Sequence, residues 1–383
     1  MGIAASPAAE HLTGLGSFAC PPEGENKMSK KYHVLIMGAS YGSLLAAKLG
    51  LAGHSAHLIC LPAEADLINA EGAIVRMPVK GRDGLVEVNS RALPGRLTAG
   101  GPSGVNPADY DLVVLAMQEP QYRLPGVREL LDAVAKSRVP CMSIMNMPPL
   151  AYLKRIPSID AQAIRAAYTD PSVWDSFDPA TITLCSPDPQ AFRPPEDKVN
   201  VLQVRLPTNF KSARFVSDAD TAILRQMQAD IEASVFETGG EKIELPVKLK
   251  VHDSVFVPLA KWSMLLAGNY RCVQAEGMRP IKDAVHSDLA ATRAVYDWVF
   301  DLSVSLGAKP SDLVPFEKYA NAALSLLTPS SAARALAAGA PNIERVDKLV
   351  QIIAAGQGKR LDALDQTVAL VDGWVAKNRA KAG

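Results

Sequence analysis

A chain of 383 residues with 48% hydrophobic side chains holds more apolar material than one core of ordinary size, so two domains are expected. The 40 basic and 40 acidic side chains cancel, which excludes the global field that draws a protein to nucleic acid or an anionic membrane. The cysteines Cys20, Cys60, Cys141, Cys185 and Cys272 are odd in number and form no C-x-x-C pair, so neither a disulfide framework nor a metal site is indicated and a reducing cytoplasm is the expected compartment.

Residues 1–30 are expected to be a disordered extension, rich in Ala, Gly and Pro and without the basic start and apolar run of a signal peptide. Met28 is a candidate start, and Gly2 with Ser6 meets the loosely specified N-myristoylation pattern. No stretch reaches the roughly 18 consecutive apolar residues of a spanning helix. The run 32–37 reads as a strand; it breaks at Gly38-Ala39-Ser40-Tyr41-Gly42 and continues with helical spacing to Gly53, after which 56–61 reads as a second strand. This is a β-α-β unit of the usual size. Residues 111–117 form an apolar strand of the kind buried on both faces, 126–136 a helix and 139–145 another strand, so a doubly wound parallel sheet is expected. Strand-like runs at 180–185 and 199–206 flank the Pro-rich loop 187–195, and 218–234 reads as a helix. Beyond Pro246 the segments 255–272, 288–306 and 343–378 are long and amphipathic, which places a helical domain at 246–383 after a sheet domain at 31–245. The Ala-rich run 332–340 reads as helix with Gly339 as its stop.

A dinucleotide site needs glycine where the first turn bends and where backbone meets the pyrophosphate, so that amides at the helix N-terminus face the anion. Here the fingerprint is partial: from Gly38 the turn is one residue short, and with Gly42 as third glycine the first two positions fall on Met37 and Ala39. A strand-to-helix turn without ligand remains an open reading of these residues. The second strand ends in Cys60-Leu61-Pro62, with neither the acid that favours NAD nor the arginine that favours NADP; Glu64 is either a solvated carboxylate or a ribose contact.

The order of elements, with Gly42-Ser43-Leu44-Leu45-Ala46-Ala47, Ala52-Gly53-His54 and Asn69-Ala70-Glu71-Gly72, resembles the ketopantoate reductase (2-dehydropantoate 2-reductase) family. Asn146, Trp262, Ser330-Ser331 and Ile343-Glu344-Arg345-Val346-Asp347 carry the resemblance through the second half. It implies an α/β fold, a Rossmann-type sheet followed by an all-helical C-terminal domain of the 6-phosphogluconate dehydrogenase type. It also implies reduction of a 2-keto acid by NADPH at the interdomain cleft, NAD not being excluded. A lysine two residues after the tryptophan would protonate the keto oxygen; that position is Met264, so the chain reads as a divergent member without it. The asparagine one turn later falls on Gly268 with Asn269 beside it, and the lysine after the fourth strand falls on Gln118.

An alkoxide developing on oxygen needs a positioned acid or cation. Lys261 is one helical turn before Met264, about 4.5 Å along an α-helix, and Arg271 seven residues after it, again on the same face. The expected site thus takes Lys261, Asn146 and Glu344 as catalytic groups and Gly38, Ala39, Ser40, Tyr41, Gly42 and Gln118 as cofactor contacts. Asn269, Arg271 and Ser331 are expected to hold a small carboxylate substrate. For Lys261 a snorkelling helix lysine, for Arg271 an interdomain ion pair and for Glu344 an exposed helix glutamate are the competing readings. His252-Asp253 suggests a base with an orienting acid, against the plainer reading of Asp253 as a helix cap. Tyr168-Thr169-Asp170 and Trp174 either shape a pocket or pack. A non-catalytic nucleotide- or metabolite-binding protein of the same fold is the alternative function, and the apolar helices suit a homodimer as well as the chain's own core.

Overall fold

The computed structural model describes residues 30–382; all but the last residue of the expected disordered extension, with Cys20, Met28 and the Gly2/Ser6 pattern, lies outside the described residues. Eight strands make the main sheet, in the order Leu249–His252, Phe210–Ala213, Ile182–Ser186, Cys141–Ile144, Leu112–Leu115, His33–Met37, Ser55–Ile59, Leu97–Gly100. All neighbours are parallel except Phe210–Ala213 against Ile182–Ser186. The unbroken apolar runs follow from burial on two faces: Val34, Ile36, Leu112 and Val114 enter one core cluster, while Leu35, Met37, Val113 and Leu115 enter the other. From His33–Met37 the chain builds outward to Ser55–Ile59 and Leu97–Gly100, then returns to lay Leu112–Leu115 on the opposite side. That reversal opens a crevice at the carboxyl ends of the two central strands, where such sheets place ligands.

In the middle region the expected strands are found at Ile182–Ser186 and Val201–Leu206, but the second belongs to a separate sheet ordered Leu85–Asn89, Ile74–Pro78, Val201–Leu206, Gln190–Phe192. The segment expected to be only a Pro-rich loop therefore carries a strand. Its three paired residues contain no proline, so their amides remain available to the ladder. The helix expected at 218–234 is Asp218–Ala233, opened by Ser217, whose hydroxyl accepts from the Asp220 amide.

The sheet also runs past the boundary expected at Pro246, because Leu249–His252 pairs parallel with Phe210–Ala213. Four residues are too short a period-2 signal to stand out beside long helices. One apolar cluster continues from Leu35 and Val113 to Trp262, Val346 and Val371, and residues 31–382 pack as a single unit. In the helical half, Leu289–Ser305 is capped by Asp288, and Ser331–Ala337 by Ser330, with Gly339 at φ 89° beyond it. The segment 343–378 divides into Val346–Gly356 and Asp362–Ala382. The segment 255–272, expected as one helix, is a succession of 3₁₀ (Pro258–Ala260), α (Lys261–Met264), π (Leu265–Asn269) and 3₁₀ (Tyr270–Cys272) turns. No described helix is long and apolar enough to cross a membrane.

Candidate active site

The first turn keeps two of the three glycine roles. Gly38 sits at φ +108°, and a Cβ there would stand 2.5 Å from Cγ of Met117 and 2.7 Å from the Ala116 carbonyl oxygen, so only glycine passes the neighbouring strand. A Cβ on Gly42 would stand 2.8 Å from Cγ2 of Ile36, the close helix-on-strand approach of the third glycine. Between them, the amides of Ala39, Ser40, Tyr41 and Gly42 have no hydrogen-bond acceptor among the described residues. They crown the helix Tyr41–Leu51, so the turn suits an anion such as a pyrophosphate.

Beside this turn is a cavity of about 20 Å³ whose lining includes Gln118, Asn146, Asn269, Tyr270, Ser331 and Glu344. Five of these are expected site residues, brought from distant parts of the chain. Gln118 and Asn146 follow the adjacent strands Leu112–Leu115 and Cys141–Ile144; Asn269 closes the π turn, Ser331 starts its helix, and Glu344 precedes Val346–Gly356. The Tyr270 hydroxyl fixes this last segment, donating to the Glu344 carbonyl at 2.5 Å and accepting from the Val346 amide at 3.0 Å.

Glu344 is buried rather than an exposed helix glutamate. Burial pushes its carboxyl from an ordinary 4.5 up to about 7, opposed by hydrogen bonds from the Glu119 and Met147 amides and from Asn146, and reinforced by the nearby Glu119 carboxylate. Glu119, at 2% exposure, is itself raised by burial, although the Thr169 amide (3.0 Å) and hydroxyl (2.8 Å) bind its carboxylate. Oδ1 of Asn146 is buried with no partner among the described residues. Asn200 also holds a buried Oδ1 with no partner among the described residues, but its amide nitrogen is tied to the Gly72 carbonyl and it does not line this cavity.

The expected cations do not line the cavity. Lys261 Nζ donates to the Pro187 carbonyl at 2.6 Å with an Asp188 carboxylate oxygen at 4.0 Å; burial lowers its pKa, opposed by Asp188 and Glu344. Arg271, expected to bind substrate, is instead anchored on the Thr292 hydroxyl (2.7 Å) and the Ala267 carbonyl (3.3 Å). The reason is the π turn: its extra residue rotates everything after it, so a seven-residue spacing no longer returns to one face. The same insertion brings Asn269, rather than position 268, to the cavity. Position 268 must be glycine, since a Cβ there would overlap the Tyr319 hydroxyl at 1.8 Å. Met264 is partly buried against the core, its carbonyl accepting from Tyr319.

A strap formed by residues 187–193 crosses the crevice. At one end Asp188 pairs with Lys211 at 2.9 Å and Lys261 holds the Pro187 carbonyl; at the other Arg193 pairs with Glu64, which is thereby buried rather than solvated. Between them the Ala191 backbone meets the Tyr41 phenol, whose pKa is pushed up to about 12 by burial first and by Asp188 and Glu344 next. His252 ends a strand with Nε2 buried and unpartnered, and Asp253 pairs with Arg225 at 2.6 Å, so neither the dyad nor the cap reading of this pair holds. Trp174 is fully buried against Tyr122 and Phe177 and packs, while Thr169 touches Glu119. Glu119, Tyr270 and Asp188 escape the sequence reading. Only Glu119 carried a signal, as the residue after Gln118 at a strand's carboxyl end.

The architecture is that of a Rossmann-type sheet joined to a helical region. Its particular likeness is to the ketopantoate reductases, whose fold the chain has. It superposes on a PanE/ApbA family ketopantoate reductase from Ralstonia eutropha JMP134 with a TM-score of 0.61 at 15% identity, over 91% of this chain and 99% of that one. A 2-dehydropantoate 2-reductase from Methylococcus capsulatus gives 0.58 at 13%, over 90% and 97%. A D-mandelate dehydrogenase solved with NADH and anilino(oxo)acetate gives 0.59 at 13%, over 91% and 99%. No family model and no curated protein sequence matches the chain.

Proposed function

We propose that this chain is an NAD(P)-dependent oxidoreductase that reduces a small 2-keto or imino acid in the crevice between the sheet and the helical region. The observation that carries this reading is the convergence of Gln118, Asn146, Asn269, Ser331 and Glu344 on one cavity beside a glycine-dependent turn with free amides. Residues 38–43 would hold the pyrophosphate and Gln118 would approach the nicotinamide side. Asn146, Asn269, Ser331 and Glu344 would position the substrate. A bound dihydronicotinamide supplies a hydride. With Met264 at the family's lysine position, Lys261 is the nearest cation for a substrate carboxylate, once Pro187 and Asp188 give it up. The reading leaves the choice between NADP and NAD open, since the second strand ends in neither selecting residue.

The strap favours a second reading, a metabolite-binding protein that does not use a dinucleotide, because Asp188, Ala191 and Arg193 lie across the crevice. Titration with NADPH and with NADH, followed by nicotinamide fluorescence, separates the two. Saturable binding of either supports the reductase, and turnover of a keto or imino acid would then be screened. Absence of binding by both refutes it in favour of the second reading.

A further inference from the structure

The polar lining of the cavity is unbalanced. Glu344 brings a carboxyl group, with the Glu119 carboxyl behind it, and the Asn146 amide nitrogen is committed to Glu344, which leaves Oδ1 of Asn146 as a buried acceptor without a donor. Among the described residues, no lysine, arginine or histidine lines it. Among the described residues, the cations nearby are engaged: Lys261 by Pro187 and Asp188, Arg271 by Thr292, Arg334 by the Pro329 carbonyl at 3.2 Å, and Arg345 by Asp347 at 2.9 Å and Asp372 at 2.5 Å. A carboxylate entering here would meet like charge and an unanswered carbonyl dipole. A cationic nitrogen would answer both. The space of about 20 Å³ admits one group the size of a water molecule or an ammonium head.

From this imbalance we infer that the cavity receives a protonated nitrogen of the substrate, held between Glu344 and Oδ1 of Asn146: an iminium in the reducing direction and, in the reverse, an ammonium that passes one proton to the Glu344 carboxylate before hydride leaves the neutral amine. The inference rests on the reductase reading and narrows its substrate class to imino compounds. It also accounts for the missing cationic acid. Hydride addition to the carbon of a C=N⁺ bond sends the π pair to nitrogen and yields a neutral amine, the dihydronicotinamide being oxidised; no proton is required in that step. Addition to a C=O bond would leave an alkoxide, which needs one. The groups facing Glu344 are Glu119, Tyr41, Tyr122, Tyr270 and Lys261, of which only Lys261 is cationic.

The test is calorimetric titration of the full chain with DL-alanine, methylammonium, DL-lactate and pyruvate between pH 5.5 and 8.5, with and without dinucleotide. Alanine is expected to bind about tenfold or more tighter than lactate above pH 7, as a charge-assisted hydrogen bond requires. Its affinity should fall as Glu344 is protonated below that pH, and selectivity should collapse in Glu344→Gln and weaken in Asn146→Ala. Equal affinities, tighter lactate or pyruvate, affinity that rises as pH falls, or no binding of either nitrogen compound would overturn the inference. Nitrogen-selective binding without any dinucleotide binding would uphold the cavity's preference while sinking the reductase reading.

Discussion

Glu344→Gln should make the protein more stable in mild alkali while removing part of its binding site. The carboxyl is buried and raised from 4.5 to about 7, so between these values the native state holds a proton that the unfolded chain has released. Stability therefore falls as pH rises through that window. At about 1.4 kcal/mol per pH unit the full penalty above pH 7 is about 3 kcal/mol. Glutamine is neutral at every pH and keeps one oxygen acceptor, but it replaces the other acceptor with a donor facing amides. Allowing about 1 kcal/mol for that loss, the variant should be less stable than the parent near pH 4.5 by about 1 kcal/mol and more stable at pH 8 by about 2 kcal/mol. Urea unfolding at half-unit pH intervals measures both curves, and their difference removes contributions common to the two proteins, such as Asp347 and Lys48. Parallel curves from pH 4.5 to 8 would refute the claim that Glu344 is charged at the expense of the fold.

Three further outcomes are expected. Gly38→Ala forces a side chain to φ +108° against the Ala116 carbonyl and should destabilise by about 3 kcal/mol or more; an unchanged urea midpoint would show that the turn can move. Asp188→Ala frees Lys211, leaves Lys261 only its Pro187 contact and loosens the strap, so dinucleotide affinity measured by nicotinamide fluorescence should rise roughly fivefold, from about 1 kcal/mol of partly exposed ion pairing. An unaltered Kd would mean that the strap does not compete with the cofactor. For an imino acid substrate, Lys261→Met should raise KM about tenfold with kcat within a few-fold, reflecting carboxylate binding rather than proton transfer; steady-state kinetics equal to the parent would remove Lys261 from the site.

Much of the architecture was legible because burial on both faces of a parallel sheet writes itself as continuous apolar runs, as at 34–37 and 112–115. Helix starts expected near 218, 288 and 332 were found within a residue or so of those positions, where Ser217, Asp288 and Ser330 turn out to cap them. Asn146, Glu344, Ser331 and Gln118 were named from the family resemblance, and the fold gathers them around one cavity. Lys261 and Arg271 were placed by counting α-helical turns; Lys261, ahead of the π turn, is drawn to Pro187 and Asp188, and for Arg271 the count broke. A π turn changes the register by one residue, and it is held in part by Tyr319 packing on Gly268, a contact 51 positions away in sequence. Whether a carboxyl carries a charge, as at Glu344 and Glu119, depends on how much water the surrounding elements exclude. The strap at 187–193 owes its path to Lys211, Lys261 and Glu64, partners drawn from three separate elements. Periodicity and caps are local properties that a sequence states directly; helical register, desolvation and long-range pairing exist only once distant segments have packed, and they decided which expected residues share the site.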